Sequence, residues 1–324
     1  MNVVLIFPPT TVYGNDPTRP TPTPPLGLLY IAAVLERDGH AVTVIDSIAE
    51  VKGEVTVQGN GRRYGLGYEA IADRVKGVNP DMVGISCMFT AYAGDVHRLS
   101  QSIKREVPDV FLVTGGAYAS AYPRYILEDR NIDCVVLGEG EATMIEIMKH
   151  LSGDLRLDEI RGIAFRKDGI ITETKRRPPI SDIDSIPFPA RHLVDMNVYV
   201  NASFNGVYAL RSPSLTMITS RGCPEDCIYC TVKNIWHRKW RGHSAKRVVD
   251  EIELLQQQYG IREIYFMDDS AAVSRRRMHE ICDEITRRGI DISWTLPNGV
   301  AYWTLDRDLV RAMKRAGCYR LTFG

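Results

Sequence analysis

Two hydrophobic rhythms alternate along the first 150 residues. "NVVLIFPP" is a short apolar run ended by prolines, "PLGLLYIAAVLERDG" spaces its apolar residues as a helix does and stops at Gly39, and "AVTVID" is strand-like again. The exchange continues through helix "YEAIADRVKGVNP", strand "MVGISCMFT", helix "AGDVHRLSQSIKREVPD", strand "VFLVTGG", helix "AYPRYILEDRN", strand "CVVLGEGE" and helix "ATMIEIMKHL". Five strands separated by helices predict an open parallel α/β sheet, whose ligand sites lie beyond the carboxyl ends of the strands.

The pattern then changes. "GIAFRKDGIITET" reads as a hairpin turning at Lys167 to Gly169, and "RRPPISDIDSIPFPARHL" as a proline-rich surface connector in which Arg176 and Arg177 are solvated. From "SLTMITSRGC" a second βα series begins. Helix "SAKRVVDEIELLQQQYG" places Val248, Ile252, Leu255 and Tyr259 on one face, with Ser244 as its cap. It is followed by strand "IREIYFMDD", helix "RRRMHEICDEITRRG", strand "DISWTLPNG", helix "LDRDLVRAMKRAG" and strand "CYRLTFG", and "SRRR" at 274 to 277 reads as a solvated helix start. The series predicts a full or partial (β/α) barrel, with chemistry at the carboxyl ends of its strands. The expected organisation is a sheet domain over 1–150, a hairpin and connector over 151–210, and the barrel over 211–324.

Composition narrows the choice of function. At 324 residues and 44% hydrophobic content the chain has core enough for about two domains. Its 40 basic and 40 acidic residues balance, which gives no support to a nucleic-acid or membrane-surface partner. No apolar run is long enough to span a membrane, and the start lacks a signal pattern. Four of the seven cysteines, Cys87, Cys134, Cys282 and Cys318, lie scattered in apolar stretches as buried thiols do, so a cytoplasmic location is expected.

Glycines gather at the strand ends of the first half, in "TGGAYAS" and "GEGE". Gly115, Gly116, Gly138 and Gly140 either make tight turns or open the backbone to a ligand. No GxGxxG follows the first strand, so a dinucleotide is not indicated. The long loop "PPTTVYGNDPTRPTPTPP" is expected to cover something bound on the sheet. With "PPLGLLYIAAVLERDGHAVTVID", "TGG" and "GEGE", residues 1 to 150 resemble the Rossmann-like cobalamin-binding domain found in one class of radical S-adenosylmethionine enzymes. The resemblance implies cobalamin contacts from Pro8, Pro25, Gly27, Ser86, Cys87, Met88, Phe89, Thr90, Gly115, Gly116, Ala117, Gly138, Glu139 and Gly140. One departure stands out: Ile48 in "DSIAEV" occupies the place where cobalamin mutases supply a histidine to cobalt, which implies cobalamin bound without such a ligand.

In the second half, "SRGCPEDCIYC" sets Cys223, Cys227 and Cys230 at spacings of four and three. Thiolates bind soft metals and iron–sulfur clusters, and three of them on a four-iron cubane leave one iron open to a small molecule. A structural zinc site completed by His237 or His243 is the alternative, although zinc motifs usually pair their ligands as two close couples. CxxxCxxC, with the aromatic Tyr229 before its last cysteine, resembles the signature of the radical S-adenosylmethionine superfamily. In that family the open iron of a 4Fe-4S cluster binds S-adenosylmethionine, and reductive cleavage yields a 5′-deoxyadenosyl radical. The resemblance implies S-adenosylmethionine contacts from Tyr229, Met267, Asp268, Asp269, Ser270 and Asn298. "MDDS" stands where the family has a Gly-Gly-Glu-like segment, and Asp269 with Ser270 reads equally as a helix cap. Trp236 and Trp240 either wall a cavity or pack.

The two resemblances together imply a cobalamin-dependent radical S-adenosylmethionine enzyme, most commonly a methyltransferase acting on an unactivated carbon or phosphorus centre. They also imply a small-molecule or peptide substrate and an electron donor such as a flavodoxin or ferredoxin. Ring contraction or oxidative cyclisation is the enzymatic alternative, and a cobalamin sensor or carrier the non-enzymatic one. Four barrel strands are fewer than the family's barrel holds, so the chain is expected to be a piece of a longer protein or to be completed by a partner.

Overall fold

The computed structural model describes residues 1–14, 20–51, 54–58, 61–200, 202 and 209–323. The chain divides into two compact units, one of residues 1–179 with 189–195 and one of 180–188 with 196–324. The connector is thus shared: Ile180–Phe188 packs with the second unit and Pro189–Asp195 with the first.

In the first unit the elements run β1 (Asn2–Phe7), β2 (Thr10–Tyr13), α1 (Leu26–Arg37), β3 (Ala41–Asp46), β4 (Glu54–Gln58), β5 (Gly61–Tyr64), α2 (Tyr68–Val78), β6 (Met82–Ser86), α3 (Ala93–Glu106), β7 (Phe111–Gly115), α4 (Ala117–Ala121), α5 (Pro123–Leu127), β8 (Cys134–Val136), α6 (Glu141–Leu151), β9 (Ile163–Lys167) and β10 (Ile170–Glu173). Among the described residues these form a seven-stranded sheet in the order β10-β9-β8-β7-β6-β1-β3. Its first five strands by sequence are parallel, as the hydrophobic rhythm predicts, and the hairpin β9–β10 continues the sheet antiparallel. The β9–β10 turn falls where expected, with Asp168 and Gly169 both at positive φ.

Strand alternation sends Val4 and Ile6 of β1 into one core with Ile71, Val75, Val96 and Leu99 of α2 and α3. Val3 and Leu5 go to the opposite core with Leu28, Leu29, Ile147 and Met148 of α1 and α6. Helices on both faces therefore bury a sheet whose strands read as continuous apolar runs. The strand order reverses between β1 and β6, which creates a crevice at their carboxyl ends.

A second, three-stranded antiparallel sheet, β2-β5-β4, branches from those same ends, because β2 follows β1 and β4–β5 follows β3. The loop over 8–25, expected as a cover, thus carries a strand, β2, that was not anticipated. Residues 15–19 of that loop lie outside the described residues. Hairpin β4–β5 was also not anticipated, although Val55 and Val57 alternate with polar residues ahead of "GNG".

The second unit contains α7 (Met196–Val200), β11 (Ser214–Met217), β12 (Ser220–Arg221), α8 (Val232–Trp236), β13 (Arg241–Gly242), α9 (Ala245–Tyr259), β14 (Glu263–Phe266), α10 (Arg275–Arg287), β15 (Ser293–Val300), α11 (Arg307–Arg315) and β16 (Cys318–Phe323). Its four-stranded sheet has the order β11-β14-β15-β16, parallel throughout, with β12 and β13 paired separately. This is the four-strand partial barrel that the sequence predicts, and the described strands form no closed barrel. Ser244 caps α9, accepting from Arg247 N at 3.2 Å. Ser274, rather than Asp269 or Ser270, caps α10. Among the described residues no helix is long and apolar enough to cross a membrane.

Candidate functional site

At the carboxyl edge of the first unit's sheet the expected residues come together in sequence order. Pro8 follows β1, Ser86 to Thr90 follow or end β6, Gly115 to Ala117 end β7 and open α4, and Gly138 to Gly140 link β8 to α6. Pro25 is buried at the N-terminus of α1, where its carbonyl accepts from Leu29 N, and Gly27 is exposed in the first helical turn.

The glycines do different work. Gly116 has φ +114°, and a Cβ there would lie 2.7 Å from the Cys87 carbonyl oxygen, so only glycine lets the ends of β6 and β7 close together. A Cβ on Gly140 would meet Ile31 of α1 at 2.9 Å, which makes this glycine a packing device between α1 and α6. Gly138, at φ +84°, faces open space, and its amide donates to Ser120 Oγ at 2.9 Å. The Cys87 thiol belongs to the core, and burial pushes its pKa up to about 12. Met88 and Phe89 beside it are exposed. Ile48 is buried, with its amide donating to Asp46 Oδ1, so no imidazole stands at that position.

Sequence reasoning passed over Asp95. Its carboxylate, buried in the first turn of α3, accepts from Thr11 N (2.9 Å), Thr11 Oγ1 (2.7 Å) and the Tyr68 hydroxyl. It thereby fastens β2 above the sheet edge. No motif announces such a contact, since Thr11 and Asp95 are 84 residues apart.

In the second unit, β11 leads through Thr219 and β12 into the cysteine loop. Cys223 and Cys230 are half-buried, Cys227 is exposed, and none is in a disulfide. Cys230 N donates to Cys227 O at 3.1 Å in a turn, Tyr229 projects into solvent, and burial pushes the Cys223 thiol up. Among the described residues no group of three His, Cys, Asp or Glu side chains stands in a metal-holding arrangement. Donor type, spacing and accessibility nevertheless fit a cubane: three free thiols lie within eight residues of one irregular loop. A zinc set fits less well. His243 is buried with Nδ1 accepting from Arg247 Nε (3.1 Å) and 3.0 Å from Asp184 Oδ1, while His237 sits exposed at positive φ.

"MDDS" meets this loop. Asp269 Oδ2 accepts from Gly222 N at 3.0 Å, next to Cys223. Gly222 has φ +86°, and a Cβ there would lie 2.2 Å from the Lys239 carbonyl oxygen. The Asp268 carboxylate is buried and accepts from Thr219 N (2.7 Å), Thr219 Oγ1 (2.6 Å) and Ser220 Oγ. Burial raises its pKa against the pull of Arg277 and these donors. It therefore holds the strand that feeds the cysteine loop. Ser270 O accepts from Trp240 Nε1 at 2.8 Å, Met267 N donates to Met217 O at 2.8 Å, and Asn298 Nδ2 donates to Asp268 O at 3.3 Å. Asn298 lies within β15, at a register irregularity, rather than in a turn after it.

Two charge readings need correction. Arg177 donates to Thr143 Oγ1 at 3.0 Å and pairs with Glu146, so it is largely covered. Arg277 is only 7% exposed, because its guanidinium reaches inward to backbone carbonyls, whereas Arg275 and Arg276 are exposed.

The B12 binding domain family matches residues 17–148 and the radical SAM superfamily matches residues 217–324. The chain is 35% identical to cytidylyl-2-hydroxyethylphosphonate methyltransferase of Streptomyces wedmorensis over 99% of its own length and 64% of that protein's. It is 29% identical to the anaerobic magnesium-protoporphyrin IX monomethyl ester cyclase of Synechocystis over its full length and 60% of the cyclase. It thus spans less than two thirds of these relatives. The solved structure of OxsB, a cobalamin-dependent S-adenosylmethionine radical enzyme with aqua-cobalamin and S-adenosylmethionine bound, superposes with a TM-score of 0.75 at 19% identity, covering 100% of this chain and 43% of OxsB.

Proposed function

The chain belongs to the cobalamin-dependent radical SAM family, which joins a B12-binding domain to a radical SAM domain, and we propose that it serves as a methyltransferase acting on an unactivated carbon or phosphorus centre. The observation that carries this reading is the set of three free thiols, Cys223, Cys227 and Cys230, following the first strand of a parallel βα sheet in a chain that also carries a switch-point crevice between β1 and β6, with glycines at the ends of the neighbouring strands β7 and β8. Those thiols would hold a 4Fe-4S cluster with one iron open to S-adenosylmethionine. Tyr229 within the loop, Asp269 and Ser270 bonded to it, Met267 just after β14 and Asn298 within β15 are the S-adenosylmethionine contacts of this reading, while Asp268 holds Thr219 as a support. Cobalamin would lie over Gly116 and Gly138, with Met88 and Phe89 available to its face. When bound, these groups supply methyl transfer and radical generation, and the protein orients and shields them.

A substrate hydrogen must be abstracted and a methyl group delivered, so each turnover would consume two S-adenosylmethionine molecules, one leaving as S-adenosylhomocysteine and the other, cleaved with electrons from the donor, as methionine and 5′-deoxyadenosine. An electron donor of the flavodoxin or ferredoxin class and a cytoplasmic setting complete the reading. The sharing of this architecture with a ring-forming cyclase favours oxidative cyclisation as the second reading. The deciding experiment is anaerobic reconstitution with iron, sulfide and hydroxocobalamin, followed by metal and coproduct analysis. About four irons and one cobalt per chain with both coproducts support methyl transfer; 5′-deoxyadenosine without S-adenosylhomocysteine supports cyclisation; cobalt without iron supports a carrier.

A further inference from the structure

The cysteine loop, residues 222–240, leaves and rejoins the fold through a narrow neck. β12 and β13 pair antiparallel across it, with Ser220 opposite Gly242 and Arg221 opposite Arg241, and His243 N donates to Thr219 O at 2.9 Å. Arg277 of α10 reaches this neck from outside it. Its Nη2 donates to Thr219 O at 2.6 Å on the strand that enters the loop, and its Nε donates to His243 O at 2.5 Å on the strand that leaves it.

A separate feature supports the same contact. A Cβ on Gly242 would lie 2.6 Å from Arg277 Nε and 2.7 Å from its Cδ, so the glycine clears the path along which the arginine enters. Trp240 lies beside it, its ring centre 5.6 Å from the guanidinium carbon and its Cη2 2.7 Å from the same Cβ position, and its indole N–H is fixed to Ser270 O. Asp268 completes the surroundings by gripping Thr219 from the segment that follows β14.

From this geometry we propose that Arg277 is a positioning residue that clamps the two strands at the neck of the cysteine loop, so that the three thiols close on a cluster from a fixed frame. The proposal rests on the cluster reading above. Arginine suits the task because one planar group carries donors in different directions, whereas a lysine ammonium is a single point that does not span both carbonyls with the same geometry.

The test is Arg277→Lys, with Gly242→Ala as a second variant that crowds the guanidinium and the neighbouring Trp240 ring without altering any charge, and Arg276→Lys as the exposed control. Hydrogen exchange on the apo chain is the first readout. Residues 222–240 are expected to exchange about tenfold faster in Arg277→Lys and Gly242→Ala, as for loss of one charge-assisted hydrogen bond, while β14 and β15 keep their protection. After reconstitution, loss of iron to a chelator is expected to be about fivefold faster in both variants. Loop exchange at the wild-type rate, or a uniform rise across the second unit, overturns the clamp and makes Arg277 an ordinary core residue. If the wild-type chain takes up no iron while Arg277→Lys still loosens the loop, the cluster reading fails and the clamp stands. If the wild type takes up iron and the loop exchanges equally in both, the reverse holds.

Discussion

In the first unit the chain doubles back, so that β1 lies between β3 and β6, whereas in the second unit spatial order equals chain order. Right-handed crossovers that reverse direction put helices on both faces, and those that advance one way put them on one. The helix contacts agree: α2 packs on α3 and α1 on α6 in separate layers, while α9, α10 and α11 pack successively against one another. The two candidate sites differ in the same spirit. The first lies at a reversal of strand order, where glycines after β7 and β8 let backbone and helix close up, with Asp95 fastening a side sheet beside it. The second hangs on buried polar tethers, Asp268 and Arg277. One βα grammar thus produces a crevice set by strand order and a loop held by buried side chains.

The largest effect expected is the separation of the two sites. Replacing Cys223, Cys227 and Cys230 by alanine should abolish iron uptake and 5′-deoxyadenosine formation while cobalt binding stays within about twofold of wild type, since the cysteines and the first unit's glycines belong to separate compact units. Parallel loss of cobalt would break the comparison. Next comes Gly116→Ala, which forces a side chain into a φ of +114° against the Cys87 carbonyl. It should cost about 3 kcal/mol and weaken cobalamin binding at least tenfold by titration, with iron content unchanged.

One pH effect belongs to the second unit. His243, buried among Asp184, Arg247 and Arg221, with the Arg277 guanidinium on its backbone carbonyl, has its pKa lowered from 6.5 to about 4 by burial first and by Arg247 and Arg221 next, with Asp184 opposing. The folded state prefers the neutral ring, so this stabilisation is full above pH 6.5 and is lost as pH falls from there through about 4. The expected loss is on the order of 2 kcal/mol. Urea unfolding followed by tryptophan fluorescence measures it selectively, because all four tryptophans lie in the second unit. His243→Asn should flatten the slope, and an equal slope in that variant would assign it elsewhere. The smallest effect is Ser244→Ala, which removes the cap of α9 and should cost about 1 kcal/mol, seen in the same fluorescence transition.

The strand rhythm, the parallel sheet and the three-cysteine loop were legible because each is a local pattern. "NVVLIF" cannot satisfy water on either face, and three thiols in eight residues have few uses. What escaped was non-local. Asp95 looks like any first-turn acid of a helix until Thr11 is brought to it, and Arg277 looks like its solvated neighbours Arg275 and Arg276 until α10 is laid beside the neck. Asp268 was legible as an acceptor near the cluster loop, but not as one already occupied by Thr219 and Ser220. Hairpin β4–β5 was missed for a different reason, since its alternation is short and its glycines resemble loop punctuation.

Winding order also has a meaning in time. A ribosome releases the amino end first, so the second unit can lay each strand against the one just made: β14 beside β11, β15 beside β14, β16 beside β15. The first unit breaks that order once. β1 waits with one edge bare while β2, α1, β3, β4, β5 and α2 are synthesised, until β6, about 75 residues later, covers it. Long-range closure of that kind is slow and leaves an apolar edge available to wrong partners. The half of the molecule with the more thoroughly buried sheet is therefore the half most exposed to misfolding during its own synthesis.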